Sequence, residues 1–187
     1  MIKLQGATKR EFHFPAEPGI AIRFFSDFQR IAIFLPHITV ATVYTPNALR
    51  MHYRSVEMGA YTINLFADVQ SVIDSENGII HILPLKGKTP VPSEATLNTS
   101  SCYGDFASKA IFMDAGDESF IEYHLKLGAQ LPRPRGLRMM PGRVVNRIAK
   151  SISEGRVREI ADGFMVNALA AFPHWLAEQQ ANQQVQT

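Results

Sequence analysis

The side chains able to do chemistry are scattered along this chain rather than gathered. Its six histidines, His13, His37, His52, His81, His124 and His174, never fall three or four residues apart. That spacing is what puts two imidazoles on one helix face, so the sequence predicts no metal site. The glycines assemble no phosphate-cradling loop either. The stretch from Gly136 to Gly142 lacks a following Lys-Ser/Thr, and no Gly-x-Gly-x-x-Gly follows a strand. No nucleotide or other cofactor is expected. A nucleophilic thiol needs an activating base and partial exposure. Cys102, the one cysteine, lies in Thr99-Ser100-Ser101-Cys102-Tyr103, a mid-strand context where a lone cysteine is a small buried hydrophobe. Acid–base work needs a carboxylate or imidazole facing an enclosed space. Asp105, Glu122 and His124 are the strand-borne candidates, and alternation places Glu122 and His124 on the wetter face. No catalytic residue is expected.

Charge is the other chemical signal. Between Arg133 and Glu159, eight basic residues stand against Glu154 and Glu159, a net of +6 within a chain whose total is +2. Such asymmetry marks either a solvated helix face or an anionic partner. For a partner the candidates are Arg133, Arg135, Arg138, Arg143 and Arg147, and the surface they fit is an anionic membrane or a protein. Nucleic acid is not expected, because aromatic residues are not interleaved with these arginines.

The elements that must position these groups read clearly. At 187 residues with 46% hydrophobic content, the chain fits one domain, expected over 1–178 with a frayed polar tail over 179–187. A single cysteine forbids an internal disulfide, and neither a signal-peptide core nor a membrane-length apolar run is present, so a soluble cytoplasmic protein is expected. Lys3 to Phe14 reads as a strand. Ile20 to Leu35 reads as two short helices bent at Ser26-Asp27, closed by Pro36. Strands follow over Ile38–Tyr44 and Leu49–Val56. From Gly59, Tyr61, Ile63, Leu65, Ala67, Val69 and Ile73 alternate against polar neighbours, predicting one wet face. Ile79 to Leu83 returns after the turn at Asn77-Gly78. Pro84 to Ser93 is a loop, and Leu97 to Met113 and Ser119 to Gln130 are long strands. After Leu131-Pro132-Arg133-Pro134 come a short helix ending near Gly155 and a longer one, Arg156 to Glu178, bent at Pro173. Val157, Ile160, Ala161, Phe164, Ala168, Phe172 and Trp175 form its apolar stripe. Hairpin-connected strands followed by one long helix predict an α+β helix-grip architecture, a curved antiparallel sheet on a C-terminal helix.

Two segments carry a resemblance. Phe24 to Ile38, an aromatic helix followed by Asp27, apolar residues, Pro36 and a first hairpin, resembles the opening of START-like (SRPBCC, polyketide-cyclase-like) proteins. Leu131-Pro132-Arg133-Pro134, Met140-Pro141 and a helix ending in His174-Trp175 resemble an uncharacterised cyanobacterial and plastid branch of that superfamily. Phe172-Pro173 departs from the Tyr-x-x-Trp-like terminus common there. The resemblance spans residues 10 to 178. It implies an apolar cavity between sheet and helix that takes a lipid, isoprenoid or polyketide-like molecule, with polyketide-cyclase-like turnover as the alternative.

The residues offer their own basis for such a cavity. Cys102, Gly104, Phe106, Ser108, Ala110 and Phe112 alternate small with large on one strand face, and small residues beneath a helix leave volume. Tight packing onto those small residues is the competing expectation. The candidate ligand residues are Tyr61, Ile63, Leu65, Phe106, Ala110, Phe112, Tyr123, Phe164, Met165 and Ala168.

Overall fold

The computed structural model describes residues 1–185; Gln186 and Thr187, the end of the expected frayed tail, lie outside the described residues. Strand β1 (Ile2–Phe14) leads into helices α1 (Pro18–Ser26) and α2 (Phe28–Ala32). Pro18 opens α1, where its missing N–H leaves no helix bond unmade. The Asp27 side chain accepts from the Arg30 N–H and starts α2, so the expected bend at Ser26-Asp27 is a cap between two helices. Strands β2 (Ile38–Thr45), β3 (Ala48–Glu57), β4 (Tyr61–Asp74), β5 (Ile79–Pro84), β6 (Glu94–Ala95), β7 (Thr99–Asp114) and β8 (Ser119–Leu131) follow. A 3-10 turn at Arg135–Leu137 precedes helix α3 (Gly142–Val185).

The sheet order is β1-β8-β7-β5-β4-β3-β2, with β6 on β7. Neighbours pair antiparallel with one exception. Because β5 is only six residues long, β7 closes directly onto β4 beyond its end, pairing Thr62–Phe66 in parallel with Thr99–Tyr103. The strand expected from Leu97 begins at Thr99, leaving Leu97 exposed in the connection.

Strand β4 departs from the expected two-faced pattern. Leu65, Ala67 and Val69 are buried on the inner face as alternation requires, but Asp68 is also buried and Ile73 is exposed. The outer face around Asp68 is therefore covered. Tyr44, Arg50 and Tyr103, from β2, β3 and β7, all donate to the Asp68 carboxylate, and Arg50 also donates to the Thr89 carbonyl. The Leu85 N–H bonds the Asp68 carbonyl, and the Lys88 ammonium sits 4.2 Å from the Tyr44 ring centre. The Pro84–Ser93 loop is thus pinned across this face.

Helix α3 corrects one expectation. It is one helix of 44 residues rather than two, about 66 Å long at the usual rise. Val145, Ala149, Ser153, Val157, Ile160, Phe164, Ala168, Phe172 and Trp175 are buried at steps of three and four. That stripe passes without a break through exposed Gly155, whose intrinsic penalty of about 1 kcal/mol is small beside the burial on either side. Pro173 lies on the exposed face between buried Phe172 and Trp175, and the helix continues past it. Beyond Glu178 the backbone stays helical to Val185.

The helix runs parallel to β1. Gly6 faces Val157 and Ser153, Arg10 bonds Asp162, and the Phe14 ring meets Phe172 at 4.7 Å, in the same order along both elements. On its other flank Gly163 abuts the Pro36 ring, and Asn167 donates to the Phe34 carbonyl. A Cβ on Gly6 would lie 2.6 Å from Val157 Cγ2 and 2.9 Å from the Ser153 carbonyl oxygen, which is backbone and cannot move alone. Gly6→Ala is therefore expected to lower stability by about 1–3 kcal/mol in urea unfolding, overpacking outweighing the ~0.5–1 kcal/mol gained by removing a strand glycine. Gly128→Ala on β8, where nothing stands within contact distance, is the control and should be neutral or slightly stabilising.

Candidate ligand cavities

Two apolar spaces lie between sheet and α3, and only the smaller of them lies over the alternating residues Ser108, Ala110 and Phe112 of β7. The first lies under the N-terminal part of α3 and has a volume of about 60 Å³, open to solvent on one side. Ile2 and Leu4 of β1, Leu131 of β8 and Tyr61 and Ile63 of β4 form its floor. Val145, Ile148, Ala149 and Ile152 form its roof, and Pro134, Leu137 and Met140 from the incoming loop close one wall. The second, about 20 Å³, lies under the middle of α3 among Phe25, Ala110, Phe112, Tyr123, Phe164 and Met165. A volume of that order is about one water's worth, so tight packing prevails there.

The candidate ligand residues divide accordingly. Tyr61 and Ile63 line the first cavity, and Ala110, Phe112, Tyr123, Phe164 and Met165 line the second. Leu65, Phe106 and Ala168 are buried in the packed core and line neither. The roof of the first cavity was missed because a helix break was expected near Gly155. Its signal was nonetheless present, as Val145, Ala149 and Ile152 continue the apolar spacing of the helix.

Four polar side chains, Glu57, Tyr61, Thr62 and Ser100, line the first cavity. Ser100 donates to the Pro132 carbonyl at 2.7 Å. Glu57, 7% exposed, receives Arg156 Nε at 2.9 Å and Nη2 at 3.3 Å. Arg156 also donates to Glu159 at 2.5 Å, and His37 Nε2 donates to the other Glu159 oxygen at 2.8 Å. His37, then Arg156, hold the Glu159 carboxyl below the ordinary carboxylate range against its partial desolvation. The chain Glu57–Arg156–Glu159–His37 thus ties the end of β3 and the turn before β2 to α3 beside the cavity.

Chemistry elsewhere in the core is muted. Burial pushes the Cys102 thiol up to about 11, which leaves little thiolate to act as a nucleophile. The Tyr123 hydroxyl is also pushed well up by burial. Glu122 and His124 bond each other on the outer face, where Lys9 and then His124 lower the Glu122 carboxyl. Among the described residues no three His, Cys, Asp or Glu side chains converge as metal ligands would.

The arginines also divide. Arg133 turns inward and donates from Nη2 to the Leu137 and Met140 carbonyls, bracing the loop that walls the first cavity. Arg135, Arg138, Arg143 and Arg147 are exposed. No described helix is long and apolar enough to cross a membrane.

No protein-family model matches this chain, and no curated protein matches it. Solved structures do. A Thermus thermophilus protein is 16% identical with a TM-score of 0.51, covering 88% of this chain and 98% of its own. The Zhui aromatase/cyclase from Streptomyces sp. R1128 is 8% identical with a TM-score of 0.48, covering 89% and 90%. A START superfamily protein from Mycobacterium smegmatis is 16% identical with a TM-score of 0.41, covering 82% and 97%. At such identities the likeness is one of fold, carried by the first of these together with the topology itself. The chain has the START-like helix-grip fold, a curved, almost wholly antiparallel sheet wrapped on its C-terminal helix.

Proposed function

We propose that this protein binds a hydrophobic small molecule, such as a lipid, isoprenoid or polyketide-like chain, in the first cavity and does not turn it over. The observation that carries the reading is a half-open cavity whose floor and roof are apolar side chains. Its volume sets the kind of occupant. A cavity that encloses a benzene-sized molecule is on the order of 150 Å³, so a space of about 60 Å³ takes the end of a chain while the rest remains at the mouth. Binding without turnover is favoured because Glu57, the one carboxylate lining the cavity, is bonded to Arg156, and Ser100 is bonded to the Pro132 carbonyl.

The test is native mass spectrometry of the purified protein for co-purifying lipid or isoprenoid, followed by titration with a fluorescent fatty acid. Trp175 is a poor reporter, since 26 residues of helix, about 39 Å, separate it from Ala149 in the roof. Ala149→Leu fills the cavity and is expected to weaken fatty-acid binding about tenfold or more, at an overpacking cost of about 1–3 kcal/mol checked by thermal unfolding. A wild-type protein that binds no apolar probe, or an Ala149→Leu variant that binds as well as wild type, would rule the reading out.

A further inference from the structure

Exposed apolar residues scattered singly over a surface carry no message, but a cluster around an apolar opening does. Four large hydrophobic side chains here are exposed: Met58 at 59%, Leu97 at 67%, Met139 at 95% and Val144 at 44%. They come from three segments, around Met58, Leu97 and the 139–144 stretch, each touching or adjoining the lining of the first cavity. Met58 lines it directly, and Met139 and Val144 precede the lining residues Met140 and Val145. The Leu97 carbonyl accepts the Gly136 N–H at 2.9 Å, fastening its segment to the turn that carries Leu137. Threaded through this collar are Arg135, Arg138, Arg143 and Arg147, all exposed. The stretch 133–147 contains no Asp or Glu. Among the described residues, the arginines that do form ion pairs are Arg10, Arg30, Arg50 and Arg156, none of them in the collar.

From this juxtaposition we propose that the mouth of the first cavity docks on an anionic phospholipid bilayer, with Met58, Leu97, Met139 and Val144 entering the acyl boundary and the four arginines meeting lipid phosphates. Exposed apolar tips interleaved with unneutralised guanidinium groups match the bilayer interface on both counts, apolar depth and anionic surface. An acidic protein would satisfy the arginines but would leave an apolar opening against a charged face. A bilayer instead presents acyl chains where the cavity opens. The attachment is peripheral, since no described helix can span. This goes beyond the ligand reading and stands independently of it.

The experiment is flotation of the full chain with phosphatidylcholine vesicles, with and without phosphatidylserine, at about 0.1 M and about 0.5 M salt. Co-flotation with the serine-containing vesicles at low salt is expected, weakened about tenfold or more by high salt. Replacing all four arginines by Gln should weaken it by about tenfold or more. Leu97→Ser with Met139→Ser should weaken it with the arginines intact. All these side chains are exposed, so unchanged circular dichroism and Tm verify folding. Absence of flotation, equal flotation with uncharged vesicles, indifference to either set of variants, or capture of an acidic protein without vesicle binding would overturn the proposal. Fatty-acid binding measured in solution on the arginine variant separates this outcome from that of the cavity reading, because the replaced side chains do not line the cavity.

Discussion

Asp68→Ala is expected to destabilise the protein by about 3–5 kcal/mol in urea unfolding, among the largest effects of any single change. The Asp68 side chain is fully buried, yet it lies on the outer face of the sheet and not in the apolar core. Its carboxylate takes two N–H groups from Arg50, at 2.7 and 2.8 Å, and the hydroxyls of Tyr44 at 2.9 Å and Tyr103 at 3.0 Å. Truncation leaves a guanidinium that is 19% exposed without its counter-charge, together with two phenols lacking their acceptor. Replacing Arg50 as well, by Leu, should recover part of the loss, since the penalty is that of an orphaned charge. Faster hydrogen exchange is expected through the 85–93 loop, because Arg50 also holds the Thr89 carbonyl there.

The same cluster sets a pH dependence. Burial alone would push the Asp68 carboxyl up, but the bonds from Arg50, Tyr44 and Tyr103 together outweigh it and hold the group below its ordinary value. A carboxyl lowered in the folded state contributes stability that is fully present above its unfolded pKa of about 3.9 and is lost as pH falls through its folded pKa. Wild type should therefore lose this contribution only below about pH 4. Asp68→Asn should flatten that part of the acid-unfolding curve, and an unchanged curve would assign the acid sensitivity to other carboxylates.

Phe24→Ala is expected to cost a comparable 3–5 kcal/mol, read by thermal unfolding. Phe24 is wholly buried, and its ring meets Phe14 at 5.5 Å, Phe25 at 5.0 Å, Phe172 at 5.4 Å and Trp175 at 5.4 Å. These rings come from β1, α1 and α3, so the cluster joins the first third of the chain to the last. Edge-to-face contacts add to the area buried. Trp175 emission should shift to the red in the variant while fatty-acid binding by the folded fraction stays unchanged, since the cluster does not line the first cavity. Phe24→Leu should recover more than half of the loss, as it restores most of the volume.

Much of this architecture was legible before folding is considered. The alternation along β3, β7 and β8 and the three-and-four spacing of α3 are local properties of the chain, and each commits a face to the core. Asp27 as a cap, and Cys102 as a buried hydrophobe, followed from neighbouring residues in the same way. The break expected near Gly155 is absent because the stripe packed against β1 outweighs the propensity of one glycine.

What the sequence by itself determined, then, is which elements form and which of their faces turn inward, because periodicity needs only neighbours along the chain. The tertiary structure decided where space remains and which charges are free. Volume under α3 depends on how side chains from β1, β4, β8 and the 134–140 loop add up against it, a sum no single segment contains. Asp68 is buried only because three other strands and a loop converge on it. Arg133 and Arg156 are engaged while, among the described residues, Arg135, Arg138, Arg143 and Arg147 are not, because partners such as Glu57 and the Met140 carbonyl are set by packing and not by spacing.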